Sequence, residues 1–161
     1  MIMMTKILLA QTVLACLLMM TGCRDGTGGG FAAQAAGFSN STLTGTYAFS
    51  SQSTGFVSQG SKKVALVGVV TLDGKGGIAS GSTTEASEQA ASVCTFSLSG
   101  TYSVSANGTG TATITASNTA GSCVNETNTF ALALSSGGDQ VNLVETTLGS
   151  GAITSGVLNR Q

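Results

Sequence analysis

The sequence predicts an all-β protein: an antiparallel, eight-stranded up-and-down barrel, with a two-sheet β-sandwich as the alternative. Three observations predict it. The stretch FSLSGTYSVSANGTGTATITA, residues 96–116, alternates apolar and hydroxyl side chains on both arms of an Asn107-Gly108 turn. Strand side chains point to opposite faces with period two, so one face is apolar and the other carries Ser and Thr. Asn-Gly tolerates the positive φ of a tight hairpin turn. Seven short gaps, most of them rich in Gly, divide residues 41–161 into eight segments of strand length. Finally, charged residues are only 8%, glycine numbers 23 and proline is absent. Helical domains laced with ion pairs do not have this composition, whereas Thr, Val and Gly in this abundance favour strands.

The elements follow in order. The first strand is predicted at about 42–51, with Leu43, Gly45, Tyr47 and Phe49 on one face. The second covers 63–72. Both of its faces are apolar, which leaves its register unread and suggests cover on both sides. Asp73-Gly74-Lys75-Gly76-Gly77 is a turn. The third, 78–85, has little to bury, and a loop or single helical turn follows through Glu85 and Glu88. The hairpin of 96–116 supplies the fourth and fifth. The sixth is 128–135, with Phe130, Leu132 and Leu134 on one face. The seventh is 140–148 and the eighth 152–159. Closure into a barrel removes both exposed edges, which matters in strands so poor in charged gatekeepers. Leu43-Thr44-Gly45-Thr46-Tyr47 is echoed by Leu98-Ser99-Gly100-Thr101-Tyr102, a loose duplication.

Residues 1–22 have the form of a secretory signal peptide: Lys6, then a mostly apolar run too short to span a bilayer comfortably. The segment ends in Met20-Thr21-Gly22-Cys23. This resembles the lipobox of bacterial lipoproteins, with Met20 where Leu is usual. The resemblance implies that Cys23 is lipidated and becomes the first mature residue. The alternative is an ordinary cleaved peptide with an incidental cysteine. Arg24 after the cysteine implies, by the sorting rule of that family, the outer membrane. Residues 23–40, rich in Gly and Ala, read as a flexible tether, or alternatively as an ordered segment from Phe31 to Phe38. Residues 41–161 form the β domain. Its Leu-x-Gly-x-Tyr strands and Asp-Gly-x-Gly turn are similar to uncharacterised secreted and lipoprotein β domains. More distantly, Gly-x-Tyr resembles the Gly-x-Trp of lipocalin-like barrels. An eight-stranded barrel has room for a filled core or one small ligand.

Four cysteines occur. Cys16 leaves with the signal peptide and Cys23 takes lipid. A two-residue turn at Asn107-Gly108 sets Cys94 opposite residue 121, two positions from Cys123. In an oxidising compartment a disulfide between Cys94 and Cys123 is expected, once a bulge or a looser turn aligns them. Cys-x-x-Cys motifs and histidine are both absent, so a redox or metal pair is the lesser reading.

Catalytic chemistry finds few reagents. Without histidine a Ser-His-Asp system cannot be built. The glycine-rich turns join strands and open no helix, which removes the phosphate-cradle reading. The few lysines are too sparse for a nucleic-acid surface. The sequence implies no metal and no cofactor, and the chain is expected not to be an enzyme. Glu145 is the acid of interest. Alternation from Val141 and Leu143 carries it inward, where a carboxylate would mark a functional site. A bulge that turns Val144 inward and Glu145 outward is the preferred reading. Tyr47 and Tyr102, equivalent in the echo, are expected as core aromatics whose hydroxyls reach a rim or a partner. With Glu145 they are the candidate ligand contacts. The expected function is a non-enzymatic structural or interaction role of a lipoprotein at the bacterial envelope. The alternative is a small-ligand-binding barrel.

Overall fold

A computed structural model describes residues 37–55, 63–87, 93–121, 123–147 and 152–161. The predicted signal peptide, Cys23 and most of the tether lie outside the described residues. Eight strands form one closed barrel in sequence order: β1 Thr44–Gly55, β2 Val64–Asp73, β3 Ile78–Ser87, β4 Cys94–Val104, β5 Thr109–Ala120, β6 Glu126–Leu134, β7 Gln140–Glu145 and β8 Ala152–Arg160. Every neighbouring pair is antiparallel, and β1 pairs with both β2 and β8. That last pairing excludes the sandwich, which would leave β1 at an edge.

Alternation fixes what faces in. Leu43, Tyr47, Val70, Leu72, Tyr102, Ala112, Phe130, Leu132, Val141 and Leu158 form one buried cluster. Outward positions on β4, β5 and β6 carry Thr101, Ser103, Thr111, Thr113, Thr115 and Thr129 among others. The apolar face is therefore inside and the hydroxyl face outside.

Two expectations need correction, the cover over β2 and the two-residue β4–β5 turn. The outer face of β2 is bare: Val67 is 60% exposed and Val69 44%. The two apolar faces of this strand thus do not mean cover on both sides. The strand β3 is complete although it buries few large groups, because its neighbours fill its share of the core. A Cβ at inward Gly81 would stand 3.0 Å from the Leu98 Cβ, and one at Gly68 of β2 would stand 2.8 Å from the Phe49 ring. Large side chains from adjacent strands lie over these glycines. The β4–β5 turn has three residues, not two. Ser105 N–H donates to Thr109 O, Gly108 N–H donates to Ser105 O, and Gly108 adopts φ 81°. This is the type I turn with a left-handed third residue. Asn107 Oδ1 accepts from the Thr109 amide and hydroxyl, at 3.1 and 2.7 Å, and holds the corner.

At the far end of the hairpin the register shifts between Thr95 and Phe96. Beyond the bulge Thr95 pairs with Ala120, so the three-residue turn and the bulge offset one another and Cys94 lies beside Gly121. Cys123, two residues further on, is bonded to Cys94 with Cα atoms 6.1 Å apart. The sequence anticipated the pair, but no irregularity sets the two cysteines directly opposite.

Candidate functional site

The barrel has two ends of opposite character. At one lie the start of β1, the β2–β3, β4–β5 and β6–β7 turns, and the C-terminus. A 3-10 turn at Asn40–Thr42 lies across this end. Asn40 Oδ1 accepts from Val104 N–H at 2.8 Å, and Asn40 Nδ2 donates to Lys75 O at 3.3 Å. Phe38 N–H donates to Ala106 O at 3.2 Å, and its ring lies over Gly108. The chain is therefore docked on the barrel from Phe38 onward.

Both tyrosines of the echoed motif serve this plug. Tyr47 is 0% exposed, and its hydroxyl donates to Gly138 O at 3.0 Å. Arg160 Nη2 donates to Tyr47 Oη at 2.8 Å and to Thr42 O at 2.7 Å. The Arg160 guanidinium stands 5.4 Å from the Tyr47 ring centroid, and its Nε lies 3.4 Å from Asp139 Oδ1. Tyr102 Oη donates to Leu43 O at 2.7 Å, so the second copy of the motif is tied to the backbone of the first. Burial pushes the Tyr102 phenol above its ordinary value. The hydroxyls of both tyrosines are thus committed to closing one end. Beneath the β2–β3 turn, Asp73 Oδ1 accepts from the Gly77 and Lys75 amides at 2.8 and 2.7 Å. Those two hydrogen bonds, Gly77 first, hold the Asp73 carboxyl below the usual carboxylate range.

At the other end the interior turns polar. Ser51, Ser53, Thr83 and Glu145 are the buried polar and charged side chains among the described residues. Ser53 Oγ accepts from Val64 N–H at 3.0 Å, and Thr83 Oγ1 donates to Val67 O at 3.1 Å. Glu145 closes β7. It is 7% exposed while its neighbour Val144 is 43% exposed. The pairing of β7 with β6 and β8 runs without a register shift. The bulge preferred from sequence is absent, and plain alternation carries Glu145 into the barrel. Its Oε2 accepts from Thr154 N–H at 3.1 Å. Its Oε1 is buried and has no hydrogen-bond partner. Thr154 in turn stands opposite Ser53, and Phe130 opposite Glu145.

No family model, curated protein or solved structure matches this chain. The site is therefore read from its own chemistry. A carboxylate held by one backbone donor, with its second oxygen bare, is an acceptor waiting for a donor. It accepts from the Thr154 amide and its register neighbour on β6 is Phe130, with no group of three His, Cys, Asp or Glu among the described residues that could hold a metal ion.

Sequence reasoning singled out Glu145 but missed its company. Ser51 and Ser53 follow from extending the Tyr47–Phe49 parity two more steps along β1. Glu85, expected in a loop, lies on β3 opposite Leu66 and half-buried. The parity of β3 could not be read because Ile78–Glu85 has so little apolar content. The structure brings Glu145 together with Thr154 and Phe130. It spends Tyr47 and Tyr102 on the opposite end.

Proposed function

We propose that this chain is a lipid-anchored, extracytoplasmic bacterial lipoprotein whose barrel is a non-enzymatic module for holding one small ligand. Residues 1–22 direct export, lipid on Cys23 holds the protein at the envelope membrane, and the segment between Cys23 and the docked Phe38 sets the barrel off from it. The Met20–Cys23 motif supports the anchor, and Arg24 supports the outer membrane. The Cys94–Cys123 disulfide supports an oxidising compartment. The polarity of the wall supports a barrel standing in water, since a membrane-spanning barrel carries its apolar band outside.

The observation that carries the ligand reading is the bare, buried Oε1 of Glu145 inside a closed barrel. Burying an acceptor without a donor costs about 1–3 kcal/mol, more for a charged group. An occupant that supplies the donor recovers that cost. Native mass spectrometry of the protein released gently from its own envelope tests this. A population carrying a small non-covalent adduct is expected, and the bare lipidated mass alone would contradict it. Changing Cys23 to Ala is expected to move the protein from the membrane to the soluble fraction; unchanged membrane association would contradict the anchor.

A second reading, an interaction role for the outer wall, rests on the exposed valines of β2. Val67 and Val69 are successive outward positions on β2, 60% and 44% exposed. A partner protein on that wall would protect the β2 amides from hydrogen exchange in envelope extracts but not in the purified protein.

A further inference from the structure

The buried polar atoms that lack hydrogen bonds are not scattered at random. Among the described residues they are Asn118 Oδ1, Glu145 Oε1 and Arg160 Nε. Arg160 Nε belongs to the plug, and its charge is answered by Asp139 Oδ1 at 3.4 Å. The other two belong to the polar end, and both are acceptors. Asn118 is turned by its own donors: Nδ2 donates to Cys123 O at 2.6 Å and to Gly121 O at 3.1 Å, which leaves Oδ1 behind. Glu145 is turned by Thr154 N–H, which takes Oε2 and leaves Oε1. The deficit at this end is one of donors, and one of the two acceptors is a carboxylate.

Charge narrows the class of occupant. A neutral donor such as an alcohol would satisfy the hydrogen bond of Glu145 but bring no opposite charge to the carboxylate. An anionic occupant would meet repulsion from the Glu145 carboxylate. A hard metal cation needs six or more oxygen ligands, far beyond what one carboxylate supplies. An ammonium group supplies both the N–H donors and the charge. Phe130, the register partner of Glu145 on β6, faces the same interior and sets an apolar side chain next to the carboxylate's strand position.

We propose that Glu145 anchors a ligand bearing a protonated amine on a compact apolar body: the ammonium donates to Oε1 and the body packs beside Phe130. This rests on the small-ligand reading above. It predicts preference by charge at constant shape.

The test uses the full mature chain, lipid included, in detergent micelles. Methylamine, benzylamine, benzyl alcohol and benzoate are titrated in turn. The amide resonance of Thr154 is the reporter, because that N–H is bonded to the same carboxylate. Saturable shifts with the two amines are expected, with benzoate silent and benzyl alcohol at least about tenfold weaker than benzylamine. Glu145→Gln keeps an oxygen for Thr154 N–H and removes the charge. It is expected to weaken benzylamine by about tenfold or more and to leave benzyl alcohol unchanged. Equal amine affinity in the wild type and Glu145→Gln would overturn the anchor. Benzyl alcohol binding as tightly as benzylamine would overturn the amine class and leave the ligand reading standing. Silence from all four probes would overturn both. The comparison among probes is made on the wild type, so it stands even if the variant fails to fold.

Discussion

The two ends of this barrel use the same residue types for opposite purposes. At the plugged end, Tyr47, Tyr102, Asn40 and Arg160 join their polar groups into one linked network, in which Arg160 Nε lacks a hydrogen bond but stands 3.4 Å from the exposed Asp139 carboxylate. Tyr47 alone links Gly138 and Arg160. At the other end Ser53 and Thr83 are satisfied, but Glu145 and Asn118 each keep one bare oxygen. Satisfied buried polar networks rigidify and specify a fold, while unsatisfied ones cost stability and persist where something else needs them. The difference teaches that stability and function are placed at opposite ends of one barrel.

Several substitutions would break or sharpen that contrast. The largest effect is expected at the plug. Tyr47→Ala removes a fully buried ring and the hydroxyl that links Gly138 and Arg160, and should cost about 3–5 kcal/mol. Urea unfolding followed by circular dichroism measures it; a loss below about 1 kcal/mol would mean the plug is dispensable. Next comes the clasp at the polar end. The disulfide joins residues 29 apart in sequence. Replacing Cys94 and Cys123 together by Ser should cost about 3–4 kcal/mol in the chain-entropy picture. Thiol titration of the unfolded, unreduced wild type should find neither cysteine free, and two reactive thiols would remove the basis for this effect.

The smallest effect is a pH dependence at the β2–β3 turn. The Asp73 carboxyl is held below its ordinary value of 3.8 by the Gly77 and Lys75 amides. A group with a depressed folded value stabilises the fold above its unfolded value and loses that contribution as pH falls through the folded one. The urea midpoint should therefore fall more steeply below about pH 4 in the wild type than in Asp73→Asn. Parallel curves would show that the turn hydrogen bonds do not discriminate charge.

Much of this architecture was legible in the sequence, and the gaps have physical causes. Alternation gave the strands, the closed order and the inward set of β4, β5 and β6, because one face is apolar and the other is hydroxyl. The second strand hid its register because valines occupy both faces, and only pairing with Phe49 and Thr83 decides it. The Asn107-Gly108 turn was located but miscounted, since Gly108 takes the left-handed position of a longer loop. Glu145 was found by parity and then assigned outward. Parity was the better guide, because Thr154 N–H waits inside for one of its oxygens. The polar company of Glu145 was hidden because Ser and Thr occupy both faces of this barrel, so a hydroxyl does not reveal which side it is on.

The claim that the two ends are divided between stability and function is tested most directly by thermal unfolding of two near-isosteric variants, side by side. Tyr47→Phe removes the buried hydroxyl bonded to Gly138 and Arg160 and should lower Tm by about 4 °C or more. Glu145→Gln removes a charge that lacks a full set of partners, and in the absence of ligand should leave Tm unchanged or raise it. A Glu145→Gln protein that melts well below the wild type, beside a Tyr47→Phe protein that does not, would contradict the account.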